Sequence, residues 1–431
     1  MLIWESLSKA EQIQALQRPV MKDDESLQGS VSKILRLVQE AGDDTLRILT
    51  SRFDGPELTD IKVSKAEIKS SIDSLDPDVK QAIDRAYEII RKFHAEQGQS
   101  DIMIETAPGV NCTLRIRPIQ TVGLYVPGGS TPLTSSALMQ GVPAQLAGCK
   151  KIILCSPPDR FGNMAPEIIY AASKCGIDSL YRVGGAQAIA AMAFGTESIP
   201  KVDKIFGPGN RYVTEAKRQV SQAQGLVAID MPAGPSEVLV IADETADPGF
   251  VASDLLSQAE HGPDSQVVLL STSKTLIENV KQAIAEQLKQ ISRWKIAREA
   301  LAHARYILLS DIEAAIEVSD RYAPEHLILN FQGAEDHIEE IQHAGSIFVG
   351  PWSPESAGDY ASGTNHVLPT YGTARFTDSL SLKDFQKRST VQQLTREGLE
   401  GLSATILTLA RSEGLDAHAR AVSIRLEGGS V

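Results

Sequence analysis

Short apolar segments alternate with helical segments in two successive series, and this alternation limits the folds open to the chain. The first series begins near Val122 and the second near Glu237. Strands that alternate with helices form parallel sheets, because a parallel connection needs a long crossover. The pattern predicts an α/β fold with two similar parallel-sheet lobes, each an incomplete Rossmann-like unit. A duplicated architecture is plausible, although no residue-level repeat links the two series.

Helical spacing dominates both ends of the chain. We expect a helical N-terminal segment that packs on the second α/β lobe, and a helical C-terminal tail. Residues 350–376 form a long connection rich in Gly, Ser, Pro and Asp, and such a loop inside a compact protein is usually functional. The predicted divisions are 1–105 for the N-terminal segment, 106–235 for the first lobe, 236–375 for the second lobe and 376–431 for the tail.

Composition excludes several classes of function. The net charge is −13 and no run of Lys or Arg stands out, so nucleic acid is a disfavoured partner. No apolar stretch is long enough to span a membrane, and the N-terminus becomes charged too early for a signal peptide. The four cysteines form no CxxC pair, which is typical of a reduced compartment. We therefore expect a cytoplasmic protein with no membrane partner.

A helix is predicted to end at Gly262–Pro263, and two side chains of its last turn can act together. Gln258 and His261 are three residues apart, so they leave the same face of the helix. An amide oxygen beside an imidazole nitrogen can bind a divalent metal such as zinc. The alternative is a helix-end histidine that bonds free carbonyls and is favoured by the helix dipole.

A second cluster lies at a predicted loop-to-strand junction. Pro324 disfavours helix at Ala323, so Glu325 and His326 begin the next strand. A carboxylate beside an imidazole has the composition of a general acid/base pair, and histidine exchanges protons near neutral pH. A surface Glu-His pair at a strand start is the alternative interpretation.

Two further clusters carry oxygen and nitrogen donors. Asp359 and His366 lie in the long loop, and Glu413 and His418 lie near the C-terminus. Asp359 can instead be a turn residue, and the tail cluster an exposed helix start. Gln258, His261, Asp359 and His418 together offer a mixed set of ligands that suits zinc, although glutamine is an unusual ligand. Spacing along the chain does not show that these residues meet, and no GxGxxG fingerprint indicates a dinucleotide.

Several distinctive motifs follow one another in one order between about 120 and 420. They are Gly-Leu-Tyr125-Val-Pro-Gly-Gly, Gly-Gly-Ala-Gln187-Ala-Ile-Ala, Phe-Gly-Pro-Gly-Asn210, Asp-Met-Pro-Ala-Gly-Pro-Ser236-Glu, Gln258-Ala-Glu-His261-Gly, Ala-Pro-Glu325-His326-Leu and Gly-Asp359-Tyr, together with Glu413 and His418. Together they resemble the motifs of the histidinol dehydrogenase family. The N-terminal hundred residues fit that family but carry little motif information.

The resemblance implies a zinc- and NAD-dependent enzyme of histidine biosynthesis that oxidises L-histidinol to L-histidinal and then to L-histidine. It implies a homodimer in which the tail completes the partner's active site. By the resemblance, zinc is bound by Gln258, His261, Asp359 and His418. Glu325 and His326 are the acid/base residues. Tyr125, Gln187 and Asn210 line the NAD site. Substrate is held by Ser236, Gln258, His261, His326, Asp359, His366, Glu413 and His418.

Within this family interpretation, zinc holds the substrate, His326 takes the alcohol proton and Glu325 activates water for the second oxidation. Cys112 and Cys149 have no evident activating base, so a thiol nucleophile is not expected. Two other functions use parts of the same sequence. A zinc amide hydrolase would use the metal and the Glu-His pair without NAD, and a two-lobed binding protein would need neither.

Overall fold

The computed structural model describes residues 1–18, 25–128, 132–223, 227–231 and 234–428. Its centre consists of two parallel sheets with helices on both faces, which confirms the predicted α/β fold with two lobes. None of the helices in these ranges is long and apolar enough to cross a membrane.

The first lobe contains a five-stranded sheet in which every described pairing is parallel. In the order of the sheet, its strands are Ser179–Arg182, Lys151–Ser156, Thr121–Tyr125, Lys204–Phe206 and Ala228–Ile229. Its helices are Thr134–Ala147, Pro166–Lys174, Gly185–Phe194 and Arg211–Gln222.

The second lobe repeats this strand order in a parallel sheet that gains one more edge strand, Leu2–Ile3. The other strands, in sheet order, are Arg305–Leu308, Gln266–Ser271, Glu237–Ala242, His326–Asn330 and Ser346–Val349. Its helices are Pro248–Ala259, Lys274–Gln287, Trp294–Leu301, Ile312–Tyr322 and Glu355–Tyr360, with a 3-10 segment at Ala334–Glu340. Since numbering the strands of either lobe along the chain gives the order 3-2-1-4-5, both have the same topology.

The central strand of the second lobe shows why these sheets are stable. Val238 and Val240 pack in one apolar cluster, and Leu239 and Ile241 pack in another on the opposite face. Successive side chains of a strand point to opposite faces, so both faces of this sheet are covered. After Glu237, the sequence of this strand is therefore a continuous run of apolar residues rather than an alternation of apolar and polar ones.

The N-terminal segment packs differently from our expectation. Strand Leu2–Ile3 and helix Lys9–Leu16 lie on the second lobe, as predicted. The long helical segment Glu25–Phe53 instead packs on the first lobe, against the alanine-rich helix Gly185–Phe194. Helices Lys65–Ser74 and Pro77–Ala95 also cover the first lobe. The prediction is therefore wrong for residues 25–95, because helical spacing identifies an apolar face but not the surface that it covers.

An antiparallel sheet shows that the predicted divisions of the chain are wrong at two places. Strand Val110–Pro118 pairs with Ile102–Ala107 and with Gln386–Leu394 of the tail, and it lies outside the first parallel sheet. The boundary at 106 therefore cuts a strand, and the tail is less helical than predicted. Strand Gln386–Leu394 is almost entirely exposed and mostly polar, so it carries little apolar alternation that would reveal it. Helices Arg396–Ser412 and Asp416–Glu427 follow it and pack against each other.

Candidate active site

Glu325 and His326 lie where the sequence predicts, at the start of strand His326–Asn330. The preceding helix ends at Tyr322, and Ala323 adopts a left-handed conformation with φ of 52° before Pro324. Both residues are buried, with 6% and 3% of their surface exposed. This burial excludes the alternative of a surface Glu-His pair.

One residue of the adjacent strand holds both members of the pair. The backbone N–H of Glu237 donates to Glu325 Oε2 at 2.7 Å, and the Glu237 carbonyl lies 3.0 Å from His326 Nδ1. A carbonyl only accepts, so Nδ1 carries a proton and Nε2 is the position at which the ring exchanges one. His326 Nε2 is buried and has no hydrogen-bond partner among the described residues.

Three carboxylates surround this imidazole. Burial alone would lower the pKa of His326, but Glu355, Glu325 and Asp359 raise it to about 10. Burial raises the pKa of Glu325 to about 8, although the His326 imidazole opposes this shift. Two neighbouring groups with pKa values moved from their usual range are typical of acid/base sites.

Asp359 lies on the short helix Glu355–Tyr360, and its Oδ1 is 3.8 Å from His326 Nε2. Burial would raise the pKa of this carboxyl, but the His326 imidazole, with His366 and His261, lowers it. The carboxylate is therefore ionised in a largely enclosed cluster of histidines. Such a group is a good oxygen ligand for a cation.

Gln258 and His261, the two residues predicted to bind a metal together, lie side by side. Helix Pro248–Ala259 ends just before His261, and His261 Nδ1 lies 3.1 Å from Gln258 Nε2. Gln258 is fully buried, and its Oε1 has no hydrogen-bond partner among the described residues. This helix packs against Glu355–Tyr360, which carries Asp359. Gln258, His261 and Asp359 therefore lie in one region, and their binding of a metal stays a prediction.

His366 links this region to the first lobe. Its Nδ1 lies 2.9 Å from the Asp359 carbonyl, and its Nε2 lies 3.2 Å from Ser136 Oγ on helix Thr134–Ala147. Ser236 is partly exposed and directly precedes Glu237, and its carbonyl accepts from Gln266 N–H at 2.9 Å. Of the residues predicted to hold substrate, Ser236 therefore directly precedes the residue that holds the acid/base pair, and His366 contacts Asp359.

Glu413 and His418 are not brought to the cluster within one chain. Both are exposed, and they lie at the junction of the two tail helices. Within the described ranges, the one group of His, Cys, Asp and Glu side chains compact enough for a metal ion is His326, Glu355 and Asp359. The fourth predicted zinc ligand is therefore absent from the site of a single chain.

Sequence reasoning missed Glu355. It is fully buried, and neither carboxylate oxygen has a hydrogen-bond partner among the described residues. Burial raises its pKa well above the usual range, against the opposing effect of His326. Its signal was the four-residue spacing from Asp359, which places both on one helical face. Because the sequence predicts a loop over residues 350–376, a helical spacing within it does not identify a shared face.

The three residues predicted for NAD follow three strands of the first lobe at their carboxyl ends. Tyr125 ends strand Thr121–Tyr125, and its hydroxyl accepts from the Gly185 N–H at 3.1 Å. Gln187 lies in the first turn of helix Gly185–Phe194 and is buried. Asn210 caps helix Arg211–Gln222 by accepting from two backbone N–H groups. Gly129 and Ser130 of the first glycine turn, and Pro232 and Ala233 of the Ser236 motif, lie outside the described residues.

The cysteines contribute no activated thiol to this cluster. None of the four is in a disulfide. Burial raises the pKa of Cys149 and of Cys175 to about 12, and burial also raises that of Cys155. A thiol held in this way is a poor nucleophile near neutral pH.

Comparison with known proteins agrees with this arrangement. The sequence profile of the histidinol dehydrogenase family matches residues 16–426. Histidinol dehydrogenases from Colwellia psychrerythraea and Aliivibrio fischeri are 55% and 54% identical, over 99% of this chain and 98% and 96% of theirs. The crystal structure of histidinol dehydrogenase from Elizabethkingia anophelis has a TM-score of 0.94 at 50% identity, covering 98% of this chain and 96% of that one.

The cluster and the fold thus belong to an oxidoreductase with two α/β lobes. The chain is a member of the histidinol dehydrogenase family.

Proposed function

We propose that this protein oxidises L-histidinol to L-histidinal and then to L-histidine, with one NAD reduced in each step and zinc holding the substrate. The observation that carries the proposal is the enclosed cluster in which an acid/base pair, Glu325 and His326, adjoins Asp359. Membership of the histidinol dehydrogenase family supports the choice of substrate.

The donors in the cluster fit a zinc ion. Gln258 Oε1 is buried without a hydrogen-bond partner among the described residues, and an orphaned amide oxygen costs free energy unless a ligand occupies it. With His261 and the ionised Asp359 it forms the mixed oxygen and nitrogen set that zinc accepts. When bound, the metal would act as a Lewis acid and as a template for the imidazole and amino nitrogens of histidinol.

The fourth ligand would come from a second copy of the chain. We propose a homodimer in which His418 and Glu413 of the tail complete the site of the neighbouring subunit. Their exposure in a single chain supports this arrangement. The tail helices also expose Leu409 and Ile424, and the adjoining antiparallel sheet exposes Met103. Apolar side chains exposed in this way are typical of surfaces that another chain covers.

NAD would bind at the carboxyl edge of the first sheet, beside Tyr125, Gln187 and Asn210. Parallel sheets of this type bind ligands at that edge. NAD would accept the hydride that leaves the substrate carbon in each step. Among the described residues, His366 joins this lobe to the cluster through its contact with Ser136, so the two parts of the site are adjacent.

The acid/base residues would then have separate tasks. His326 Nε2, which is buried and has no hydrogen-bond partner among the described residues, takes the hydroxyl proton of histidinol in the first oxidation. Glu325 removes a proton from the water that hydrates histidinal before the second oxidation. General-base assistance of this kind contributes roughly 10²–10⁴-fold. Ser236 and His366 position the substrate. We also propose a cytoplasmic location, which the four unpaired cysteines support.

The test is the stoichiometry of NAD reduction by the purified, zinc-loaded protein. We expect two NADH and one L-histidine for each L-histidinol consumed, measured by absorbance and by chromatography of the products. No histidinol-dependent NADH would contradict the proposal, and one NADH with accumulated histidinal would contradict the second step.

A further inference from the structure

We propose that Arg18 and Glu237 are positioning residues for the acid/base pair Glu325 and His326. The inference rests on the proposed function of that pair, and it assigns a catalytic consequence to the N-terminal segment. Arg18 follows helix Lys9–Leu16, more than two hundred positions before Glu237 in the sequence.

Glu237 is the shared attachment point of both acid/base side chains. Its N–H donates to Glu325 Oε2 at 2.7 Å, and its carbonyl accepts from His326 Nδ1 at 3.0 Å. A small displacement of this one residue would therefore move both functional groups at once. Misplacement by about 1 Å reduces rates roughly 10²-fold in enzymes.

The Glu237 side chain is in turn fixed by contacts from two distant segments. Arg18 binds it through two parallel contacts, Nε to Oε1 and Nη2 to Oε2, the latter at 2.7 Å. The backbone N–H of Tyr371, in the long functional loop, donates to Oε1 at 3.2 Å. The carboxylate is fully buried and the Arg18 side chain is 13% exposed, so solvent weakens this pair little.

Arg18 also fixes the segment that leads into the acid/base pair. Its Nη2 donates to the Tyr322 carbonyl at 2.9 Å, and its guanidinium lies 3.8 Å from the centre of the Tyr322 ring. Tyr322 is the last residue of the helix that precedes Glu325. One guanidinium therefore joins the strand that holds the pair to the turn that presents it. Only a planar, bidentate donor makes all of these contacts.

The first experiment compares Arg18→Met with Arg321→Met in zinc-loaded protein. Arg321 also contacts the N-terminal segment, through the Trp4 ring and Gln12, but it does not contact Glu237. We expect Arg18→Met to lower kcat by roughly tenfold or more while the KM for histidinol and the zinc content stay within about twofold. Arg321→Met should leave kcat close to the wild-type value. Unchanged kcat in a folded Arg18→Met protein would overturn the inference.

Further variants separate positioning from simple stability. Arg18→Met leaves the buried Glu237 carboxylate without its counter-ion, which destabilises the fold. Arg18→Met/Glu237→Gln removes that charge, so we expect Tm to recover while kcat stays low. Arg18→Lys keeps the charge but not the bidentate contact, and we expect an intermediate kcat with nearly normal Tm. Recovery of kcat together with Tm in the double variant would show a merely structural role. The wild-type assay tests the proposed function separately, since the inference depends only on variant-to-wild-type ratios.

Discussion

The two lobes have the same strand order, but the residues predicted to be functional lie at opposite edges of their sheets. In the first lobe, Tyr125, Gln187 and Asn210 follow the carboxyl ends of strands. In the second lobe, Glu325 and His326 lie at the amino end of a strand. Ser236 likewise directly precedes the first residue of strand Glu237–Ala242.

The side chains at the two edges also differ in kind. The first lobe offers neutral groups and glycine turns, whereas the second offers buried carboxylates and imidazoles. Under the proposed function, the rule that α/β sheets bind ligands at their carboxyl edge would hold for the first lobe only. Shared topology did not dictate shared chemistry, because chemistry belongs to the side chains placed on the fold.

Removal of the metal should reveal the largest difference in function between the two lobes. Dialysis against a zinc chelator is expected to abolish histidinol turnover, because Gln258, His261 and Asp359 would then have no cation to present to the substrate. NAD binding, measured by calorimetry, should persist because the first lobe supplies its contacts. Added zinc should restore turnover. Full activity in metal-free protein would contradict the assignment of the second lobe.

Within the second lobe, Glu325→Gln should slow the second oxidation more than the first. We expect oxidation of histidinal to fall by roughly 10²–10⁴-fold, because only that step needs an activated water. Oxidation of histidinol should fall less, and separate assays with each substrate measure the two rates. Equal losses in both assays would show that the division of labour between Glu325 and His326 is wrong.

A substitution in the first lobe should instead weaken NAD binding and leave the metal site unchanged. Asn210→Ala is expected to raise the KM for NAD by up to about tenfold, the value of one lost hydrogen bond, with zinc content unchanged. It also removes a helix cap and should cost about 1 kcal/mol of stability. Asn210→Ser keeps a capping oxygen, so it controls for stability. A raised KM for histidinol instead would place Asn210 on the substrate side.

The stability of the packing between the N-terminal helices and the first lobe should depend on pH. Burial raises the pKa of Asp54 to about 6, and its Oδ2 has no hydrogen-bond partner among the described residues. A carboxyl whose folded pKa exceeds its unfolded value of about 3.9 costs stability as pH rises between the two values. Asp54→Asn should therefore raise Tm at pH 7.5, by the equivalent of about 1 kcal/mol after allowance for partial exposure, and little at pH 4. An equal shift at both pH values would exclude this cause.

The smallest effect is expected at the thiols. Cys112→Ser and Cys149→Ser should keep full turnover, because in the proposed mechanism the acid/base pair rather than a thiol acts on the aldehyde. Steady-state assays of both oxidations test this directly. Loss of histidinal oxidation in a folded variant would assign a thiol nucleophile and reverse the role given to Glu325.

Much of this arrangement could be predicted from local sequence. The strand–helix alternation predicted both lobes, and the Ala-Pro-Glu325-His326 segment predicted the junction that the structure contains. Long-range placement could not be predicted in the same way. The apolar face of helix Glu25–Phe53 did not reveal which lobe it covers, and the exposed strand Gln386–Leu394 had little apolar signal. Glu355 was missed because a six-residue helix is too short to produce a recognisable period.

The most direct test of the account is the position of zinc in a crystal structure of the zinc- and histidinol-bound protein, located by anomalous scattering. We expect one ion per subunit at about 2.0–2.2 Å from the donor atoms of Gln258, His261 and Asp359, with His418 of the partner subunit as the fourth protein ligand. An ion held by Glu355 and His326 without Gln258 and His261, or a tail imidazole remote from every metal, would contradict it.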